Sequence, residues 1–125
     1  MRDIILILAF FSISFIAYSQ SDDRPRMGIE FAKQELETAL NNSSEKQILV
    51  DTIIKSQETA IKYAEAILFE IYSQKNIEKQ KPYEIYKIDG YWIIRGTLPS
   101  GMRGGTFLII INSKSGQVIK LTHGK

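Results

Sequence analysis

The sequence predicts an α+β protein in which N-terminal helices pack on a C-terminal four-stranded antiparallel meander. Apolar residues recur at three- and four-residue steps from Ala60 to Ile71, the period of a helix with one buried face. Everything after Pro82 reads as short strands joined by tight turns. At 125 residues there is room for one core, and a domain of ~100 residues buries enough surface to fold without staples. That matters because the chain has no cysteine, which excludes a disulfide framework and any thiolate site.

The first element is an export signal. Met1-Arg2-Asp3 precedes an apolar run from Ile4 to Ala17, broken only by Ser12 and Ser14. That run is shorter than the ~20 residues a membrane-spanning helix needs. Ala17-Tyr18-Ser19 then places small residues at the first and third positions before Gln20, as signal peptidase requires. The expectation is cleavage after Ser19, export to the periplasm or medium, and no stable membrane anchor afterwards. The chain carries 16 Lys+Arg and 14 Asp+Glu, a formal charge of +2. Removing residues 1–19 takes away one Arg and one Asp and leaves that charge unchanged. No basic face is concentrated enough to suggest nucleic acid.

The rest divides into a flexible polar leader over 20–26, QSDDRPR, and a single α+β domain over 27–125. Met27, Phe31, Leu36, Ala39 and Leu40 give a helical stripe that Asn41-Asn42-Ser43-Ser44 stops. Residues 47–54 read as an extended or irregular connection. Ser56 is a suitable N-cap for a helix over 57–72, and Glu58 suits the positive end of its dipole. The alanines of that helix, Ala60, Ala64 and Ala66, allow close approach by a neighbour. Tyr83–Ile88 forms the first strand, and Asp89-Gly90 is a two-residue hairpin turn of the type needing positive φ at both positions. Tyr91–Leu98 returns, Pro99–Gly105 is a loop, and Gln117–His123 closes the sheet. Thr106–Asn112, the most apolar strand, is expected to be central and covered on both faces.

No catalytic constellation is visible. His123 is the only histidine and lies three residues from the end, a poor position for a triad member. A zinc site fails because zinc prefers His and Cys ligands. The acids are scattered, and no pair stands out as acid and base. Gly101-Met102-Arg103-Gly104-Gly105 is followed by a strand, whereas a phosphate cradle precedes a helix. The expectation is therefore no catalytic residue, no metal and no cofactor. Strand alternation sets Tyr83, Ile85 and Lys87 against Tyr86 and Ile88, and Tyr91, Ile93 and Arg95 against Trp92 and Ile94. One set is core, and the other leaves aromatics and Arg95 near solvent. Tyr83, Trp92, Arg95 and the loop-tip Arg103 are the candidate partner contacts, because binding hot spots favour Tyr, Trp and Arg.

Residues 59–125 also resemble a family. The resemblance rests on Ala60–Ile71 (AIKYAEAILFEI), Tyr72, Lys81-Pro82-Tyr83, the stretch Tyr91–Pro99 (YWIIRGTLP), Gly104-Gly105, Gly116–Ile119 and His123-Gly124-Lys125. Together these look like the small immunity proteins of the nuclear-transport-factor-2-like (cystatin-like) fold, found beside polymorphic toxins, including those of rearrangement-hotspot elements. The resemblance implies a non-catalytic protein that binds and neutralises a cognate toxin; with the export signal, that action falls in the periplasm. The alternative is a periplasmic small-ligand-binding protein or enzyme using the cone-shaped pocket of the same fold, as ketosteroid-isomerase-like members do with Asp and Tyr in an apolar site. A third reading is a periplasmic helix-plus-sheet inhibitor of peptidases.

Overall fold

A computed structural model describes residues 23–42 and 47–125. The expected export segment, its cleavage point, the start of the leader and Ser43-Ser44 lie outside the described residues. The chain divides into two compact units, residues 1–45 and 46–125. In the first, leader residues 23–26 are exposed and without regular structure. Helix α1 (Gly28–Asn41) follows, closed by the Asn42 N–H on the Thr38 carbonyl. It is built from strong helix formers and carries a Glu30–Lys33 ion pair one turn apart. It buries no residue, so the stripe of Ile29, Phe31, Leu36 and Leu40 stays exposed.

The second unit holds the core. Its connection over 47–55 is irregular, as expected, and is pinned by Ile53 and Ile54 N–H donating to the Ser113 carbonyl. Helix α2 (Gln57–Tyr72) begins where Ser56 adopts an extended backbone and its hydroxyl accepts from Thr59 N–H at 3.1 Å. Ala60, Ala64 and Leu68 form its buried face. Ser73, at φ 71, ends that helix and caps α3 (Gln74–Glu78), a short helix the periodicity did not predict because one turn is too short to show a repeat.

Strands β1 (Glu84–Ile88), β2 (Tyr91–Arg95), β3 (Phe107–Asn112) and β4 (Val118–His123) pair in chain order, all antiparallel. Asp89 and Gly90 take φ of 49° and 82°, the positive pair the hairpin needs. The turn fixes the register Ile88↔Tyr91 through Glu84↔Arg95. One sheet face meets α2 and α3. Trp92, Ile94, Phe107, Ile109 and Ile111 pack there with Ile54, Ala60, Ala64, Leu68 and Ile77.

The structure corrects the reading of β3. It is central, but only Phe107, Ile109 and Ile111 are fully buried, while Leu108 and Ile110 are half-buried. Its unbroken apolar run reflects an apolar outer face rather than a second covering layer within this unit.

Candidate partner-binding site

The register decides which side chains are available. Glu84, Tyr86 and Ile88 of β1 align with Arg95, Ile93 and Tyr91 of β2, and these with Leu108, Ile110 and Asn112 of β3. All lie on the sheet face opposite α2. Tyr86 and Ile88 are more than half exposed, at 55% and 54%. Arg95 donates to Glu84 at 3.1 Å, a cross-strand ion pair at the end of this face. The result is a sheet surface of tyrosine and isoleucine bordered by paired charge.

The four sequence candidates part company here. Arg95 belongs to this outer face. Trp92 is core: it is 6% exposed, and its indole N–H donates to the Ile54 carbonyl at 2.9 Å. The Lys87 ammonium lies 5.3 Å from its ring centroid. Trp92 is therefore buried and acts as the clamp that holds the 47–55 segment to the sheet. Tyr83 is half-buried, edge-on to Phe107 at 5.2 Å, and its hydroxyl donates to Glu65 at 3.0 Å. Burial first, then the bond to the Glu65 carboxylate, pushes its phenol pKa well up. Arg103 is exposed on the 99–105 loop and lines a feature to which Arg95 does not contribute.

That feature is a cleft of about 390 Å3 at the end of the sheet opposite the Asp89-Gly90 turn. Tyr72, Asn76 and Lys79 line one side, Leu98, Pro99 and Met102 through Gly105 another, and His123 a third. The Tyr72 and His123 rings sit 4.9 Å apart at 45°. Gln80, fully buried, anchors this corner. Its Oε1 accepts from the Phe107 N–H at 2.9 Å, which fixes the other end as the amide nitrogen. That nitrogen donates to the Asn76 carbonyl and, at 3.1 Å, to His123 Nε2. With Nε2 accepting, Nδ1 carries the proton and donates to the Gly124 carbonyl at 2.7 Å. Both ring nitrogens of the one histidine are thus spent inside the chain.

Glycines make the corner possible. A Cβ on Gly96 would stand 2.9 Å from the Gln80 Cβ and closer still to its amide oxygen. A Cβ on Gly105 would run into the Gly124 backbone. Sequence reasoning missed Gln80, Tyr72 and Lys79 as one group. Gln80 gave no signal, since glutamine is ordinarily a surface residue. The face choice was readable: with an Asp-Gly turn, Glu84 must oppose Arg95, and two charges on one face mark it as the wet one.

A helix layer on one face of a four-stranded antiparallel meander, with the other face apolar yet open, defines an α+β protein of the nuclear-transport-factor-2 type. The chain belongs to the NTF2 fold immunity protein family, which matches residues 59–125. Two uncharacterized proteins of Escherichia coli (strain K12) are similar to it. YhhH is 34% identical over 83 residues, 66% of this chain and 65% of that protein. YbbC is 35% identical over 77 residues, 61% of this chain and 63% of that protein. The chain therefore spans less than two thirds of either relative's length. No solved structure matches it significantly. Gln80, Gly96, Gly105, His123 and Gly124 all fall within the matched segment. Their side-chain and backbone contacts are internal to the chain.

Proposed function

We propose that this protein is a non-catalytic immunity protein that binds a cognate bacterial toxin and blocks it, after export by residues 1–19. Family membership supports the toxin as partner. The outer sheet face is the observation that carries binding: Tyr86, Ile88, Tyr91 and Ile93 offer contiguous amphipathic area on a rigid four-stranded base, the composition that interface hot spots favour. Family membership also favours action without turnover. His123 has no free nitrogen to move a proton, and among the described residues no cluster of His or acids could hold a metal. An exported inhibitor protects only where it resides, so the toxin acts in the periplasm, on wall, membrane or envelope protein. A charge of +2 also lacks the acidity with which inhibitors of nucleases mimic phosphates.

The test is protection of cells expressing the toxin encoded beside this gene, by chains with and without residues 1–19. Protection by the full chain alone is expected, together with mass spectrometry of the exported protein starting at Gln20. Equal protection by the shortened chain contradicts the periplasmic location. The small-ligand alternative draws on the cleft beside His123, and failure of both chains to protect against neighbouring toxins would favour it.

A further inference from the structure

The cleft has an electrostatic character that the outer face lacks. Two cationic side chains, Lys79 and Arg103, line it, and no acidic residue does. Both are exposed, and neither has an ion pair among the described residues. Lys62, Lys81 and Arg95 each meet a carboxylate, whereas Lys55, Lys75, Lys114 and Lys120 share the unpaired state but do not line the cleft. Besides Asn76 and the backbone of Gly104 and Gly105, the remaining wall is aromatic and apolar: Tyr72, Leu98, Pro99, Met102 and the ring of His123. Because Gln80 and Gly124 take both imidazole nitrogens, His123 offers the cleft its ring surface and no polar atom. The α3 and His123 walls are fixed by buried contacts, since Gln80 ties α3, β3 and the end of β4 together.

We propose that this cleft receives a polypeptide carboxylate flanked by an apolar side chain, either an acidic residue or a chain terminus of the toxin. The assignment rests on the toxin-binding reading above. The cations select an anion, and the guanidinium fork of Arg103 matches a carboxylate in two parallel hydrogen bonds. The apolar wall selects what accompanies it. A free inorganic anion gains nothing from Leu98, Pro99 and Met102, whereas an apolar residue beside the carboxylate covers them. The volume of about 390 Å3 lies at the small end of ligand pockets, room for one or two side chains.

The experiment titrates the isotopically labelled full chain with N-acetyl-leucinate, N-acetyl-leucinamide and inorganic phosphate, following the amide signals of Gly104, Gly105 and Gly124. N-acetyl-leucinate is expected to shift these signals to saturation. The amide, which lacks the charge, should bind roughly tenfold more weakly, and Arg103→Ala or Lys79→Ala should each weaken the carboxylate by a similar factor. Both substituted residues are exposed, so thermal melts should match the parent and exclude unfolding as the cause. Equal binding of carboxylate and amide overturns the proposal, as does an Arg103→Ala chain that binds like the parent. Phosphate binding as tightly as N-acetyl-leucinate assigns the cleft to free anions and overturns the polypeptide assignment. Probe failure in a chain that still protects cells removes the cleft and leaves the toxin reading standing. Probe binding without protection removes the toxin as the source of the carboxylate.

Discussion

Gln80 carries three side-chain hydrogen bonds at full burial, to Phe107 N–H, the Asn76 carbonyl and His123. Replacing it with an apolar residue of similar volume strands the Phe107 N–H in the core, and an unpaired buried donor costs about 1–3 kcal/mol. Gln80→Leu should therefore lower stability by that amount in denaturant melts; a melt like the parent's means water or backbone movement supplies the missing partner. Tyr83 gives a pH test. Its folded pKa is raised above the ordinary value of 10.0 by burial and by Glu65. The stability it contributes is thus fully present below about pH 10 and lost as pH rises beyond it, because the unfolded phenol ionises first. Tyr83→Phe should remove that loss, so parent and variant melts should converge as pH climbs above 10. A constant difference across that range contradicts the role given to the Tyr83–Glu65 bond.

At the scale of elements, much was legible. The α2 stripe, its Ser56 cap and the Asp89-Gly90 turn follow from local chemistry that tertiary packing did not override. Three things were not legible. α3 is one turn long and leaves no periodic trace. The stripe of α1 has the right spacing for burial, yet spacing alone does not specify what an apolar face meets. β3 is apolar at every position from Phe107 to Ile111, so alternation had nothing to alternate with. The two faces of the sheet make opposite predictions. Phe107 is fully buried between Tyr83 and the helix layer, so Phe107→Ala should cost ~3–5 kcal/mol through lost burial and a cavity. Tyr86→Ala and Tyr91→Ala, on the outer face, should leave melts within about 1 kcal/mol of the parent while weakening toxin binding by ~2 kcal/mol where either is a hot spot. Calorimetric titration beside thermal melts separates the two. Unchanged affinity in the double variant would take the outer face out of the interface.

Across the whole molecule, labour is divided between the core corner and the open surfaces. Buried contacts around Gln80, Gly96 and Gly105 hold the corner of the sheet, and the outer face with the Arg103 cleft is the surface proposed to meet the partner. Of the four residues that composition singled out, Arg95 and Arg103 fall on those surfaces, Trp92 belongs to the core, and Tyr83 bridges core and rim. Aromatic type alone does not separate core from surface, since a tryptophan serves a core and an interface by the same large area. The central claim is neutralisation by binding, without turnover. It is tested most directly by titrating a fixed amount of the cognate toxin with this protein and reading the remaining toxin activity. The account predicts a linear fall that reaches completion at one equivalent, with a single complex on a sizing column. Complete loss of activity at a small fraction of an equivalent would show turnover and contradict it.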